Sequence, residues 1–546
     1  MKKTIIYLLI TIFIGAVAYY LFLPPINIHS EDFWIYLISL VIIFELCRLV
    51  GSFDYKGASY LQKDENNVIN LNQLNFKSNF KKIDKFILTF VIGAIVIALV
   101  LNFILSPLFN AKVYSKRITV DEESKFIEDV EKVNFEAIPL LDKESSQKLG
   151  DRVMGQMPEL VSQFYVSKLY TQINYNNDII RVTPLEYDGL IKYFTNKKDG
   201  VKGYITVNSV TGESTLVKLD EGMKYMSSAL FSHDLARKLR FTYPTKIFGE
   251  ESFEIDNEGN PYWIVPVIKY VGIGLRRDIQ GVVILDPITG DSKYYDVKDV
   301  PTWVDHVYSA DIILEQVNDW GKYRQGFINS IFGQKSVVVT TEGYNYTVMK
   351  DDVYLYTGIT SAASDESNIG FILTNMRTKE TKLYSVPGAE EYSAMASARG
   401  QVQQMSYNAS FPLLINLNNR PTYLISLKDN AGLVKMYAFV DVVDYQKVTV
   451  TDSSEGIVKA ANNYLEAIGS ETEEIKEYEN KQIEVAAIYN STVDGNTYYY
   501  IIDTEGKKYK ASIKIETNKL PFILQGSIIT IDYLKETEVT NIEKIS

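Results

Sequence analysis

The chain has a single cysteine, Cys47, and only three histidines, His29, His233 and His306, among 546 residues. One thiol excludes an intramolecular disulfide and a thiolate metal cage. Three scattered imidazoles nearly exclude a His-rich metal site and leave few bases for catalysis. Positive charge is also in deficit, with 56 Lys and Arg against 68 Asp and Glu, a formal net of −12. There is no Walker or dinucleotide fingerprint. What remains is ample folding material. Hydrophobic residues make up 46% and charged residues 23% of the chain, and the 39 tyrosines favour strands. The length suggests three to five folded units.

Three apolar runs dominate the N-terminal fifth. Residues 4–23 carry no charge, residues 33–50 form a second run, and residues 86–105 form the cleanest one, followed by Pro107. Each is long enough to cross a bilayer as a helix. The first has a second reading. Lys2 and Lys3, an apolar stretch and Ala16-Val17-Ala18 are the parts of a cleavable secretory signal. Apolar character continues to Leu23, which favours a retained anchor. Residues 24–32 contain no Lys or Arg, whereas Lys56, Lys63, Lys77, Lys81, Lys82 and Lys85 crowd residues 51–85. The positive-inside rule places that loop and the N-terminus in the cytoplasm, and everything after residue 109 outside.

The first 109 residues hold nine basic and seven acidic side chains, so the remainder, with 47 and 61, carries −14. An acidic exterior is repelled by nucleic acid and by anionic headgroups. Its lack of cysteine suggests a bacterium that does not rely on oxidative folding. Glu45 is the only acid inside a span and is by default a functional candidate. Arg48, three residues on, offers a structural alternative as a same-face partner near the helix end.

Residues 203–219, GYITVNSVTGESTLVKL, align without gaps to residues 281–297, GVVILDPITGDSKYYDV. A third copy, GFILTNMRTKETKLYSV at 370–386, has Lys379 where the others have Gly212 and Gly290. A fourth, at 435–450, keeps the strands and shortens the turn. The glycines mark turns that want positive φ, so Lys379 predicts either a different turn or strain. Upstream of each copy lies a strand–turn–strand run, at 172–185, 253–268, 344–359 and 412–427. Helices are expected before them at 142–168 from Asp142, 232–241 from Ser232, 303–319 and 389–405. The unit is one helix on one face of a small antiparallel sheet, repeated four times.

This pattern resembles the PepSY domain, in which a helix precedes a small sheet and a late strand ends in a D-x-x-T-G turn. Asp286-Pro287-Ile288-Thr289-Gly290 fits, and Asn208-Ser209-Val210-Thr211-Gly212 nearly fits; the third and fourth copies lack the motif. The resemblance covers residues 138–450 and implies binding rather than catalysis. Three spans ahead of tandem PepSY-like repeats also look like a class of bacterial multi-span envelope proteins. The C-terminal part differs. A helix is expected at 453–469, capped by Ser454 and stopped by Gly469, and then a charged connection. Five short strands follow, with hairpins at Asp494-Gly495 and Glu505-Gly506, and suggest a small closed barrel of OB or SH3-like type.

The expected class is therefore α+β. It comprises a membrane domain at 1–109, modules at 110–225, 226–300, 301–387 and 388–452, a helix and linker at 453–479, and a barrel at 480–546. Four constellations invite chemistry, and each has a plainer reading. Ser232-His233-Asp234 are adjacent, whereas a triad converges from separate places; a helix cap explains them better. Glu254, Asp256, Glu258 and Gly259 imitate a calcium loop, but its twelfth position is Val265. Asp305, His306, Asp311 and Glu315 have poor helical spacing for a metal and read as a solvated helix face. Gly272-Ile273-Gly274-Leu275-Arg276-Arg277 could hold an anion and reads better as a connection between strands. No catalytic, cofactor or metal residue is assigned. The sequence points to a membrane-anchored, extracytoplasmic binding or scaffold protein with an envelope protein or surface polymer as partner. A membrane-complex subunit acting through its spans and a carboxylate-based envelope hydrolase are the alternatives.

Overall fold

In the computed structural model, the structure describes residues 2–52, 82–135, 138–155, 157–176, 178–349, 351–362, 364–469, 478–493, 496–516, 519–534 and 540–545. The lysines at 56, 63, 77 and 81, on which the expected orientation rests, and the Asp494-Gly495 hairpin lie outside the described residues. The chain divides into two compact units. One is Met1–Val434 with Val440–Lys447, and the other is Lys435–Phe439 with Val448–Ser546.

The larger unit opens with helices Lys2–Phe22, Glu31–Ser52 and Lys82–Leu105. Thr4–Phe22 and Ile87–Leu105 are long and apolar enough to cross a membrane. The mixed α and β architecture begins after a kinked helix, Pro107–Tyr114. The first sheet takes the strands Phe164–Val166, Thr171–Tyr175, Asp178–Tyr187, Val201–Asn208 and Ser214–Met223. The second takes Ile247–Phe248, Ser252–Ile255, Pro261–Val271, Leu275–Leu285 and Ser292–Asp296. The third is built on Val338–Thr340, Asn345–Met349, Asp352–Ser361, Ser364–Asn375 and Thr381–Tyr384.

All three sheets share one connectivity. The first two strands both pair with the third, at different places along its length, and the third, fourth and fifth strands run antiparallel in sequence order. The third sheet gains Val120–Asp121, parallel to Thr381–Tyr384, and Gly388–Ala389. The opening half of the scheme returns once more, because Asn408–Ala409 and Leu413–Leu417 both pair with Arg420–Lys428. The expected three strands per unit omitted the short opening strand. At two or three residues it is too brief to show a period of two.

The echoed sequences are the turns between the fourth and fifth strands, and one mechanism builds them all. The Oδ1 atom of Asn208 accepts from the amides of Val210 and Thr211. Asp286 does the same for Ile288 and Thr289, and Asn375 for Arg377 and Thr378. The next threonine then accepts the amide two residues on, in Glu213, Asp291 and Glu380. Asp441 repeats the motif with Val443 and Asp444. Its closing bond runs from its own amide to the Lys447 carbonyl, one residue farther along than in the other copies, so this turn is longer rather than shorter.

Sheet two is buried on both faces, and its alternation shows why. Trp263, Val265, Val267, Val283 and Leu285 join a core with Ile180, Val182, Leu185, Tyr204 and Ile205 of sheet one. Ile264, Ile268, Val282 and Ile284 join a second core with Val353, Leu355, Ile359 and Ile372 of sheet three and with Ile312, Ile313 and Val317. Neighbouring repeats therefore share their interiors. At about 25 cal/mol per Å2 of apolar surface removed from water, this sharing lets small sheets gain what none could bury alone.

Several helices are shorter than the sequence suggests. The one starting after Asp142 runs Lys143–Gly155. Asp142 Oδ1 accepts the Ser145 amide, so it caps as expected, and Pro158 helps to prevent continuation. The next is Leu235–Thr242, capped by Asp234 and not by Ser232. The third runs Ala310–Tyr323 and the fourth Glu391–Gln401.

In the smaller unit, helix Ile457–Ala467 starts after Gly456 and ends before Gly469, both at positive φ. Ser454 sits in the preceding turn, its amide donating to Asp452 Oδ1, and does not cap the helix. The Tyr464 ring stacks on Phe439 at 5.9 Å. Tyr478–Val493, Asn496–Asp503, Lys508–Ser512, Ile528–Leu534 and Thr540–Ile545 close into a five-stranded barrel, with the third and fifth strands parallel.

Candidate functional site

Two places in the larger unit concentrate polar groups that the folding of a single sheet does not require. The first joins the N-terminal helices to sheet two. Its long hairpin turns at Gly272-Ile273-Gly274, as expected of a strand connection. The tip is held on two sides. The Asn102 side-chain amide donates to the Ile273 carbonyl at 2.8 Å while its oxygen accepts the Ile273 amide at 3.0 Å. His29 Nδ1 donates to the Gly272 carbonyl at 2.7 Å, and the His29 carbonyl accepts the Gly274 amide at 3.0 Å. A carbonyl only accepts, so Nδ1 carries the proton. Both glycines have positive φ, and a Cβ on Gly274 would collide with the Glu31 carboxylate. A few residues away, Arg240 donates to the Leu23 carbonyl at 2.9 Å, and Ile26 to that of Pro244 at 2.8 Å. The helix ends and the second repeat thus interlock through backbone and amide groups.

The second place is a pocket of about 460 Å3 where residues of the first three sheets converge, with Phe411 beside them. Gln172 and Arg181 face each other across adjacent strands of sheet one and are 1% and 5% exposed. Neither side-chain atom of the Gln172 carboxamide has a hydrogen-bond partner, and neither has Arg181 Nε. Among the described residues, no carboxylate lies within ion-pair distance of Arg181. Burial pulls its guanidinium down to about 10, and Asp142 and Tyr346 act against that shift, so it stays charged at neutral pH. Asp142, the acid acting on it, is committed to Lys428 at 2.5 Å and to its own helix cap. Lys143 shares the pocket, and burial together with the Arg181 charge holds its ammonium below the usual value. Tyr308, Tyr344 and Tyr346 wall the space.

The segment before helix Ala310–Tyr323 fixes one side of this pocket. Glu254 accepts the amides of Asp305 at 2.8 Å and His306 at 3.2 Å. Asp305 in turn accepts the Asn174 amide at 2.7 Å, and His306 Nε2 donates to the Gln172 carbonyl at 2.7 Å. Glu254 is fully buried and Asp305 is 2% exposed, and burial raises both carboxyls above their ordinary range; for Asp305 the Glu254 charge adds to the rise.

The constellations singled out in the sequence therefore take other roles. Asp234 caps its helix, and His233 lies 3.3 Å from the Tyr193 hydroxyl. Asp256 braces a turn through the amides of Glu258 and Asn260, while Glu254 points into the interface just described. Asp311 is exposed and Glu315 half-buried, as a solvated face implies, but both pair with Arg277 of sheet two, and Glu315 also pairs with Arg117. Glu45 pairs with Arg48 at 2.9 Å. An open groove of about 750 Å3 between the first two sheets is rimmed by acids, including Asp178, Glu213, Glu221 and Glu258. Asp286 also lines it, but both of its oxygens serve the turn.

Sequence reasoning missed Asn102, Gln172, Arg181 and Lys143. One signal was available for Arg181, a cation in the middle of the apolar run Ile179–Leu185 in a buried strand. No protein family matches the chain, and no curated protein does. Among solved structures, the chain was matched to a Trypanosoma rangeli sialidase in complex with a difluoro sugar acid. It is 6% identical, and the match covers 70% of this chain and 53% of that one, about half its length, at a TM-score of 0.16. Agreement at that level establishes no shared fold.

Proposed function

We propose that the protein is a membrane-anchored, extracytoplasmic binding or scaffold protein of the cell envelope, acting through its PepSY-like repeats rather than by catalysis. Its three N-terminal helices serve as spans, with the N-terminus and the lysine-rich loop in the cytoplasm. One observation carries the reading. The tip of the second repeat is clamped by Asn102 and His29 at the ends of the apolar helices. An anchor joined so closely to the repeats holds them at a fixed height and orientation, which suits presentation to a partner. The partner class is an envelope protein or a surface polymer, and the −14 charge of the exterior part disfavours nucleic acid.

The test uses the scarcity of cysteine. In a Cys47→Ser background, a cysteine at exposed Thr289 should react with a membrane-impermeant maleimide on intact cells. One at Lys63 should react only after lysis. The opposite pattern overturns the topology. Purification from solubilised membranes at native expression that recovers this chain alone overturns the binding role.

A further inference from the structure

The pocket between the first three sheets holds a cation, Arg181, that no carboxylate among the described residues reaches at ion-pair distance, although Asp142, Glu250, Glu251 and Asp311 also line the pocket. A buried guanidinium is normally paired, because moving a charge out of water costs several kcal/mol unless an opposite charge and hydrogen bonds replace the solvent. Arg181 is 5% exposed, its Nε has no acceptor, and the carboxamide beside it is unsatisfied at both atoms. Lys143 adds a second positive charge, and the two tyrosines at 344 and 346 provide an aromatic wall. A planar guanidinium beside a planar amide matches a planar carboxylate, accepting it through parallel N–H donors. The volume lies within the range of small-molecule sites.

We propose that this pocket binds a small organic acid, its carboxylate on Arg181 and Gln172 and its body against Tyr344 and Tyr346. The assignment goes beyond the anchoring and scaffold role and does not depend on it. It also explains why Arg181 Nε and both polar atoms of the Gln172 carboxamide, on adjacent strands, are left unused. In the empty protein Arg181 is a destabilising element, and the ligand removes that penalty.

The probe is benzoate, added to the purified full chain in a neutral detergent, with the thermal midpoint as readout. Millimolar benzoate should raise the midpoint by a few degrees, and neutral benzamide should not. Arg181→Gln removes the unpaired charge. It should raise the midpoint of the empty protein and abolish the benzoate shift. Gln172→Glu supplies an internal counter-ion and should do the same, so the test does not rest on one variant folding. An unchanged midpoint with benzoate overturns the proposal, as does an equal shift with benzamide or a shift that persists in both variants. A shift with inorganic phosphate as large as that with benzoate overturns the carboxylate assignment.

Discussion

Gly290 in the second repeat and Lys379 in the third occupy the same place in the same turn. Gly290 has φ +79° and donates its amide to Asp286; Lys379 has φ +65° and donates to Asn375. The sequence left two options for Lys379, a different turn or strain, and the structure takes strain. A left-handed non-glycine residue costs roughly 1–2 kcal/mol. The lysine recovers this at its far end, where Nζ reaches Asp278 of sheet two at 2.9 Å, Gln316 Oε1 at 3.1 Å and the Arg117 carbonyl at 3.2 Å. In repeat two the turn meets the segment after sheet one through its backbone, the Pro287 carbonyl accepting the amides of Lys224 and Tyr225; in repeat three the lysine side chain makes the tether. The neighbours decide which version each position accepts. A Cβ on Gly290 would come within 2.4 Å of the Tyr225 ring, so any side chain there must displace that ring.

That contrast can be broken from either side. Gly290→Lys should be the most damaging change, at about 2–4 kcal/mol, since it combines the left-handed φ with overlap on Tyr225. Denaturant unfolding of the full chain measures it. Lys379→Ala keeps the strain and removes the ion pair, and should cost about 2 kcal/mol at neutral pH. This cost is pH-dependent. Burial pushes the Asp278 carboxyl upward, but Lys379 and the other hydrogen bonds overcome it and hold the carboxyl below its ordinary 3.8. A depressed carboxyl contributes stability above its unfolded value and loses it as pH falls through the folded one. The gap between Lys379→Ala and the native chain should therefore be full at pH 7 and close below about pH 3.8.

Asn208→Ala should cost about 1 kcal/mol through its two lost turn bonds. Asn375→Ala should cost somewhat more, because Asn375 also donates to Asp352 at 2.8 Å. Lys379→Gly is the smallest change, under about 1 kcal/mol, since relief of the backbone offsets much of the lost pair. If it equals Lys379→Ala, strain plays no part in the third turn.

Local chemistry was the legible part of this sequence. Asx turns, hairpin glycines and alternating strands place the repeated hairpins and the barrel, because each depends on neighbours within a few residues. The Asn375-x-x-Thr378 pattern was present too, hidden only because Lys379 replaced the glycine. Partnerships across long sequence distances were not legible. Asp311 and Glu315 lie on a partly solvated face, but nothing local announces that Arg277 and Arg117 arrive from other elements to pair with them. Gln172 and Arg181 look like ordinary strand residues until three sheets enclose them. Helix lengths were overestimated at 142–168, where apolar spacing continues past Gly155 into a segment that Pro158 and the first strand take instead.

The central claim is that the first three repeats share their cores and form one cooperative body. Hydrogen exchange in increasing denaturant tests it most directly, by following the amides of Asp178–Tyr187 in sheet one and Pro261–Val271 in sheet two. A shared core predicts that both strands open with the same free energy and the same denaturant dependence, as one unit. Two openings separated by more than about 1 kcal/mol, each with its own dependence, would mean that the repeats fold as separate beads and would contradict the claim.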